Sequence, residues 1–282
     1  MQTIKNIKEL KAQIKFWKQN GNSIGFVPTM GYLHEGHQSL IRRSVEENSK
    51  TIVSIFVNPT QFAPTEDLDK YPRNLAGDIE LCEKTGADVI FTPENAEMYA
   101  EDFSAFVDMS GLTEELCGKS RPTHFRGVCT VVNKLFNIVT PDKAYFGQKD
   151  AQQLAVIKRM VRDLNMNVEI VGCPIIRESD GLAKSSRNVY LSPEERKAAL
   201  VLSRAIFAGE KLLRAGERNP ETIITEMKKI IDSESLARID YIEVVDGDSI
   251  EKIDTIKNGN ILTAIAVFIG KTRLIDNFIY KL

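Results

Sequence analysis

Short apolar runs rich in β-branched residues alternate with longer segments of helical periodicity from Ser23 to about Gly172. The runs predict buried strands, and the longer segments predict helices because apolar residues recur there every three or four positions. The strands are predicted at 24–29, 51–57, 87–92, 143–147 and 167–172, and the helices within 37–49, 74–86, 128–139 and 150–165. This alternation predicts a Rossmann-like α/β fold, a doubly wound parallel sheet that binds ligands at the carboxyl ends of its strands.

The two ends of the chain have other patterns. The first 20 residues predict an amphipathic helix whose apolar side is formed by Ile4, Ile7, Leu10, Ile14 and Trp17. After residue 177, a long helix is predicted to begin at Ser192 and Pro193, an N-cap followed by proline at the first helical position, and a second helix to begin at Pro220. Three predicted strands follow at 240–246, 260–270 and 272–280.

The length of 282 residues exceeds that of a usual single domain, about 100 to 200 residues. This length and the change in the hydrophobic pattern after residue 177 together predict two domains, a Rossmann-like domain over 1–176 and a smaller C-terminal α+β lid domain over 177–282. The charges nearly balance, with 37 Lys and Arg against 39 Asp and Glu. A protein so close to neutral lacks the electrostatic footprint of a nucleic-acid-binding protein.

No apolar run approaches the roughly 20 residues of a membrane span, so we expect a cytoplasmic protein with no membrane partner. The cysteines are scattered, without a CxxC pair and without a histidine at metal-ligand spacing. We interpret them as buried reduced thiols, because no activating neighbour is evident beside any of them; they are Cys82, Cys117, Cys129 and Cys173.

The segment VPTMGYLHEGHQSLI, residues 27–41, joins the first long strand to a helix and holds two of the three histidines. His34 and His37 flank Gly36 at the helix N-terminus, where backbone N–H groups and the helix dipole favour an anion. Imidazoles there can donate hydrogen bonds to a triphosphate. The segment predicts a phosphate site. Capping residues, surface residues or a partial metal site are the alternatives, although two histidines without a third ligand make a weak zinc site.

A second candidate segment is DGLAKSSRN, residues 180–188, which follows an apolar run near the predicted domain junction. It contains two cations and two hydroxyls in succession, which are Lys184, Ser185, Ser186 and Arg187. Together such groups can bind phosphates. On its own such a segment is often a solvated basic loop.

Together the two segments resemble the HIGH and KMSKS signatures of the nucleotidyltransferase superfamily, which includes class I aminoacyl-tRNA synthetases. Further segments resemble the pantothenate synthetase family within it, and they are SIFVNPTQF at 54–62, YPRN at 71–74, RPTHFRGV at 121–128, YFGQKDAQQL at 145–154 and VYLSPEER at 189–196. They occur in order over most of the chain. The resemblance implies an ATP-dependent, AMP-forming ligase that condenses (R)-pantoate with β-alanine.

The resemblance also implies a role for each matching position. The residues that bind ATP would be Met30, Gly31, Tyr32, Leu33, His34, Glu35, Gly36, His37, Gly147, Gln148, Lys149, Asp150, Ile176, Lys184, Ser185, Ser186 and Arg187. The catalytic residues among them would be His34, His37, Lys149, Ser185, Ser186 and Arg187. His37 would donate a proton or stabilise the α-phosphate, and Ile176 would contact adenine through its backbone.

Gln61 and Gln153 would bind pantoate, and Gln61 would also contact β-alanine. Carboxamides suit a hydroxy acid because each offers two donors and an acceptor. A polar cap at a strand end is the alternative for both glutamines, and a helix N-cap is the alternative for Asp150. Asn58 and Tyr71 are expected to border the pantoate pocket. Arg121 and His124 also lie within a matching segment, but the sequence assigns no role to them.

In the implied reaction, the pantoate carboxylate attacks the α-phosphorus of ATP, and the amine of β-alanine then attacks a noncovalent pantoyl-adenylate. Mg²⁺ would enter with the ATP phosphates, and its protein ligands are not assigned. The resemblance implies a homodimer. The alternatives are another nucleotidyltransferase of the same superfamily and a nucleotide-binding regulatory module without activity. A tRNA synthetase is disfavoured because the chain has no basic anticodon-binding extension.

Overall fold

The computed structural model describes residues 1–64 and 66–282. The chain forms two compact units, each built from more than one segment of sequence. Unit 1 comprises Met1–Met109, Thr123–Gln148 and Val156–Pro174, and unit 2 comprises Ser110–Pro122, Lys149–Ala155 and Ile175–Leu282. The domain boundary expected after residue 176 stays a prediction.

The helices and strands follow one another in an order close to the one expected from the sequence. The helices are α1 (Ile7–Gln19), α2 (Glu35–Glu47), α3 (Leu75–Thr85), α4 (Asn95–Met98), α5 (Cys117–Ser120), α6 (His124–Val139), α7 (Ala151–Asp163), α8 (Pro193–Ala198), α9 (Leu200–Arg214) and α10 (Pro220–Asp232). The strands are β1 (Gln2–Ile4), β2 (Ile24–Thr29), β3 (Lys50–Ile55), β4 (Val89–Phe91), β5 (Lys143–Gly147), β6 (Glu169–Cys173), β7 (Ala237–Asp246), β8 (Asn260–Ile269) and β9 (Thr272–Lys281). Short 3-10 turns lie at Pro59–Gln61, Gln148–Asp150 and Ser186–Tyr190.

Unit 1 contains a parallel sheet of six strands in the order β1-β4-β3-β2-β5-β6. The Rossmann-like doubly wound fold predicted from the sequence is therefore confirmed. The strand order reverses between β2 and β5, and ligands of open α/β sheets bind at the carboxyl ends of the strands beside such a reversal. Here those ends are Thr29 and Gly147.

The central strands are buried on both faces, as expected of a parallel sheet covered by helices. Ile24, Phe26 and Val27 of β2 are all completely buried. Gly25 lies between them, and a Cβ atom there would overlap Ser44 of α2. The glycine thus allows α2 to pack closely against the strand that leads into the histidine segment.

The N-terminus differs from the sequence prediction. Ile4 is not part of a helix but lies in β1, where it pairs in parallel with Phe91 of β4. The helix begins only at Ile7, after Asn6 caps its first turn with the side-chain oxygen. The buried side of α1 is formed by Leu10, Ile14 and Trp17, as predicted. A strand of three residues is too short to show an alternating pattern, which is why residues 2–4 were wrongly assigned.

Unit 2 contains the antiparallel sheet β7-β8-β9. Helices α9 and α10 bury their apolar sides against one face of this sheet, around Ile206, Ile223 and Ile265. The predicted smaller α+β domain is thus confirmed as a fold. The long helix predicted from Ser192 is interrupted at Ala199, which separates α8 from α9.

Glu47, at the end of α2, ties this helix to β5. Its carboxylate accepts hydrogen bonds from Arg43 Nε, from Lys143 Nζ at 3.0 Å and from the hydroxyl of Tyr145 at 3.0 Å. The bond from Arg43, followed by that from Lys143, holds the pKa of Glu47 at about 2, below its ordinary 4.5. The folded state therefore favours the ionised form of the Glu47 carboxylate.

A carboxyl whose pKa falls on folding stabilises the protein above its ordinary pKa and loses this contribution as the pH falls toward the folded value. We expect Glu47→Gln to lower the free energy of unfolding at pH 7 and to lower it much less at pH 3, measured by urea unfolding. The adjacent Glu46 is exposed, so Glu46→Gln serves as the control and should change little. An equal loss at both pH values for Glu47→Gln would contradict this account.

Candidate active site

The turn after β2 has a backbone conformation that its sequence favours. Gly31 has φ +83°, in the left-handed region that glycine adopts readily, and Tyr32 has φ +53°. The N–H of Gly31 donates to Thr29 Oγ1 at 3.2 Å. This conformation turns two successive N–H groups, those of Tyr32 and Leu33, toward one carboxylate.

That carboxylate belongs to Asp78 of α3. Its Oδ2 accepts the N–H of Tyr32 at 2.9 Å, and its Oδ1 accepts the N–H of Leu33 at 2.7 Å. Asp78 is 3% exposed, and burial raises its pKa while the two backbone hydrogen bonds oppose this shift. A cavity of about 400 Å³ beside the turn is lined by Met30, Gly31 and Asp78, among others. Asp78 therefore fixes the backbone of the predicted phosphate-binding turn.

Asp78 is not among the site residues predicted from the sequence. One signal could have revealed it, since Asp78 lies one helical turn before the buried Cys82 on the same side of α3. A carboxylate on the buried side of an amphipathic helix requires hydrogen-bond partners, and here they are the backbone N–H groups of the turn.

His34 and His37 form a reciprocal cap at the start of α2. Nδ1 of His34 accepts the N–H of Gly36 at 3.1 Å, and Nδ1 of His37 accepts the N–H of His34 at 3.3 Å. The two ring centroids are 4.1 Å apart. Capping, one of the alternatives left open by the sequence, is therefore a real role of both residues.

This capping also determines the protonation pattern of the two imidazoles. Because each Nδ1 accepts a hydrogen bond, each neutral ring carries its proton on Nε2. Both rings are thus oriented as Nε2–H donors at a helix N-terminus, where the dipole favours an anion. Capping and phosphate binding use different nitrogen atoms and are compatible.

Gln61 lies beside this turn in unit 1. Its Nε2 donates to the sulfur of Met30 at 2.8 Å, and its Oε1 accepts from Asn58 at 3.2 Å. Gln61 is 8% exposed and Asn58 is 1% exposed. Tyr71 and Phe62 pack in a T-shaped arrangement, with the ring centroids 5.8 Å apart. The structure therefore brings Gln61, a residue expected to bind pantoate, against Met30, a residue expected to bind ATP.

The RPTHFRGV segment holds the Gln61 turn in place. Nδ1 of His124 contacts the carbonyl of Gln61 at 2.9 Å, and the carbonyl of Gly127 accepts from Asn58 at 3.2 Å. A Cβ atom at Gly127 would overlap the carbonyl of Thr60. His124 and the close approach at Gly127 therefore support the turn, a role that the sequence did not reveal.

The chain passes from unit 1 to unit 2 between Gln148 and Lys149. Gly147 ends β5, and no described atom outside its chain neighbours lies within 4 Å of the position that its Cβ would take. Within unit 2, Lys149 Nζ lies 3.3 Å from the carboxylate of Asp150, and the carbonyl of Lys149 accepts from Asn277 at 2.8 Å. The Lys149 side chain is 19% exposed, so its charge is only partly solvated.

The second predicted ATP-binding segment in unit 2 is joined to Ile176. The N–H of Lys184 donates to the carbonyl of Ile176 at 2.9 Å. Ser185 is the N-cap of the turn Ser186–Tyr190, and its hydroxyl accepts the N–H of Arg187 at 3.3 Å. The segment therefore contains a capped 3-10 turn, and its binding of phosphates stays a prediction.

Two adjacent glutamines begin α7 and differ in their surroundings. Gln152 is 5% exposed and is fully engaged with backbone groups of Leu112, Glu115 and Cys117. Gln153 is half-buried. The Gln152 carboxamide therefore has a structural role, and the binding of pantoate by Gln153 stays a prediction.

The sequence model of the family described as Pantoate-beta-alanine ligase matches residues 2–279. The chain belongs to this family. A pantothenate synthetase from Ruminiclostridium cellulolyticum is 63% identical over 278 residues, which are 99% of this chain and 98% of the relative. The crystal structure of pantothenate synthetase from Thermus thermophilus matches with a TM-score of 0.94 at 43% identity and covers 99% of both chains.

The crystal structure of pantoate-β-alanine ligase from Francisella tularensis, complexed with β-γ ATP and β-alanine, matches with a TM-score of 0.79 at 37% identity. It covers 99% of this chain and 97% of the Francisella chain. The family inferred from the motifs is therefore confirmed, and with it the Rossmann-like sheet followed by a small antiparallel domain.

The cysteines of this pantoate-β-alanine ligase family member are all free and buried, as predicted. Burial raises the pKa of Cys82 and of Cys129 to about 12 and also raises the pKa of Cys173. Cys117 contacts the side chains of Tyr241 and Arg273 in unit 2. The three thiols with raised pKa are poor nucleophiles at neutral pH, because the thiolate is the reactive form.

The residues that the structure describes, 1–64 and 66–282, offer neither a ready-made metal site nor a membrane-spanning helix. They contain no group of three or more His, Cys, Asp or Glu side chains arranged to hold a metal ion. Nor does any helix among them combine the length and the apolar character needed to cross a membrane.

Proposed function

We propose that the protein condenses (R)-pantoate with β-alanine in an ATP-dependent reaction that yields pantothenate, AMP and pyrophosphate. The observation that carries the proposal is the contact between Gln61 and Met30, which places a buried carboxamide beside the turn that ends in two imidazoles. A hydroxy acid bound by this carboxamide would lie next to phosphates at the helix N-terminus. The family match over residues 2–279 supports the same reaction.

The proposed reaction has two steps. A carboxylate oxygen of pantoate attacks the α-phosphorus of ATP, the bond from this phosphorus to the β-phosphate oxygen breaks, and pyrophosphate leaves. The amine of β-alanine then attacks the carboxyl carbon of pantoyl-adenylate and loses a proton, while AMP leaves with the bridging oxygen. Buried thiols with a raised pKa support a noncovalent intermediate, because they are poor candidates to hold the acyl group.

The protein contributes mainly alignment and electrostatic stabilisation. In the proposal, His34 and His37 donate Nε2–H groups to phosphate oxygens. The cations Lys149, Lys184 and Arg187 neutralise phosphate charge, and the hydroxyls of Ser185 and Ser186 supply further hydrogen bonds. The proposed ATP site also includes the remaining residues of the 30–37 turn, Gly147, Gln148, Asp150 and the backbone of Ile176.

Three further expectations belong to the same proposal. Mg²⁺ enters as the Mg-ATP complex and is held largely by the phosphates, with several waters retained. The protein is a cytoplasmic homodimer. Light scattering of the purified protein tests the dimer, and the loss of turnover on chelation of Mg²⁺, restored by its addition, tests the metal requirement.

The function is tested by identifying the products formed from ATP, pantoate and β-alanine. We expect pantothenate and AMP in equal amounts and no pantothenate when any substrate is omitted. Enzyme with Mg-ATP and pantoate alone should also exchange labelled pyrophosphate into ATP. Transfer of AMP to an alcohol without amide formation would favour another nucleotidyltransferase, and the absence of turnover would favour a regulatory module.

Gln61→Ala and Gln153→Ala should each raise the KM for pantoate, by about tenfold if one hydrogen bond to the bound acid is lost. The KM for ATP should change little. Steady-state kinetics with each substrate varied in turn measures this, and Gln19→Ala, which removes an exposed carboxamide from α1, is the control. A change confined to the KM for ATP would show that the two glutamines are wrongly placed in the pantoate site.

A further inference from the structure

Strand β9 carries two adjacent buried polar residues that the reaction does not use directly. Asp276 is 2% exposed and Asn277 is 3% exposed. Successive side chains of a strand point to opposite faces of the sheet, so the two residues reach different parts of unit 2.

Asp276 lies on the face covered by α9 and α10, between Leu274 and Phe278. It forms a bidentate ion pair with Arg177, with Nη1 to Oδ2 at 2.7 Å and Nη2 to Oδ1 at 2.9 Å. Arg177 Nη1 also donates to the carbonyl of Gly181 at 3.1 Å. The planar guanidinium thus fixes both the distance and the orientation of the segment to which it belongs.

Arg177 stands at the base of the segment that presents the basic loop. It forms an antiparallel bridge with Ala183, and the next residue, Lys184, donates its N–H to Ile176. Residues 176–184 therefore form a hairpin-like loop, and the ion pair with Asp276 ties its base to β9. This loop is followed directly in sequence by Ser185, Ser186 and Arg187.

The side chain of Asn277 lies on the opposite face of the sheet. Its Nδ2 donates to the carbonyl of Lys149 at 2.8 Å. This carbonyl belongs to the Gln148–Asp150 turn that leads into α7. Arg273, two strand intervals earlier on the same face, contacts Cys117 of α5, so α5 and the Gln148–Asp150 turn both contact this face of the sheet.

We propose that Asp276 and Asn277 are positioning residues that set the spacing between the two ATP-binding segments of unit 2, Lys149–Asp150 and Lys184–Arg187. The inference rests on the proposed function, since it assumes that both segments bind ATP. The two residues are covalent neighbours, and both pair with the central strand β8, at Ile265 and Ala264. Each ATP-binding segment is therefore held by one of two adjacent points on a rigid strand.

The nature of the Asp276 interaction supports a positioning role over one in stability. A buried ion pair can often be replaced by apolar residues of similar volume without loss of stability, because desolvation offsets much of the attraction. The bidentate geometry instead gives directional precision, which an apolar pair does not supply.

The test uses the full-length protein with three replacements. Asn277→Ala removes the hydrogen bond to Lys149, and Asp276→Asn removes the charge that faces Arg177. The double variant Arg177→Met with Asp276→Leu replaces the ion pair by an apolar pair. Thr263→Val on β8 is the control, because the Thr263 hydroxyl is buried and has no hydrogen-bond partner among residues 1–64 and 66–282.

We expect each of the three proteins to bind a non-hydrolysable ATP analogue about tenfold more weakly than wild type in calorimetry, as the loss of one hydrogen bond implies. The KM for ATP should rise in parallel, the KM for β-alanine should stay unchanged, and the Thr263→Val control should match wild type. The double variant should keep a wild-type melting temperature, which separates positioning from stability.

Two results would overturn the inference. One is wild-type ATP affinity in the folded Asn277→Ala protein and in the folded double variant. The other is a loss of affinity that occurs only in proteins whose melting temperature has collapsed. Wild-type protein that binds the ATP analogue but makes no pantothenate would instead reject the proposed ligase reaction, while the binding comparison would still decide the positioning role.

Discussion

Replacing His37 by alanine is expected to lower the rate of adenylate formation by about 10²- to 10³-fold, the usual cost of losing one preorganised donor to a transition state. His37 uses Nδ1 to accept the N–H of His34, so its neutral ring carries the proton on Nε2, the nitrogen proposed to donate to a phosphate oxygen. Negative charge increases on the α-phosphate oxygens as the carboxylate attacks. A donor fixed in place by its own capping bond needs no reorganisation at that moment.

The capping role provides a matched control for this experiment. Glutamine at the third helical position can close a capping box with its side chain, so His37→Gln should keep the start of α2 while removing the imidazole donor. We expect both variants to lose activity, measured by pyrophosphate exchange, and only His37→Ala to lose melting temperature. A folded His37→Gln protein with near wild-type exchange would mean that His37 serves only as a cap.

Lys149→Ala is expected to lower adenylate formation by about 10²-fold or more, because a partly desolvated cation near the phosphates would be lost. The side chain is 19% exposed, and its ammonium group lies 3.3 Å from Asp150. Attack of β-alanine on chemically prepared pantoyl-adenylate should slow only mildly, since the triphosphate charge is no longer present in that step. Lys149→Met should behave like Lys149→Ala, because it keeps the aliphatic stem and removes only the charge.

The two half-reactions must be measured separately for this prediction. Lys158 is an exposed lysine on α7, so Lys158→Ala controls for the general removal of a positive charge. Equal losses in adenylate formation and in the subsequent ligation would show that Lys149 also serves the second step. Unchanged adenylate formation would remove it from the ATP site.

Elements with a strong local signal could be predicted from the sequence. The strands at 24–29 and 143–147 and the helix that begins at Pro220 match the structure at their ends, because apolar β-branched runs and a proline at the first helical position are local features. Ile4 was wrongly assigned to a helix because its strand is defined by pairing with Phe91, far along the chain. The break at Ala199 occurs without a proline or glycine, so the sequence offers no local signal for it.

The residues of the candidate site also differ in how far they can be predicted from the sequence. His34, His37 and the segment from Lys184 to Arg187 are visible because their residue types stand in short motifs. The sequence does not identify the partners of Asp78 and Asn277, because these partners are backbone groups distant in sequence and any segment offers backbone groups. The support that such residues give to a site becomes apparent only in three dimensions.

In the proposed reaction the pantoate carboxylate attacks the α-phosphorus of ATP, and AMP is the leaving group of amide formation. The most direct test uses pantoate with ¹⁸O in both carboxyl oxygens, together with Mg-ATP and β-alanine, and mass spectrometry of the products. The account predicts that each AMP carries one ¹⁸O and that each pantothenate keeps the other in its amide carbonyl. The appearance of the label in inorganic phosphate, with ADP as the nucleotide product, would mean that the γ-phosphate is attacked and would contradict the account.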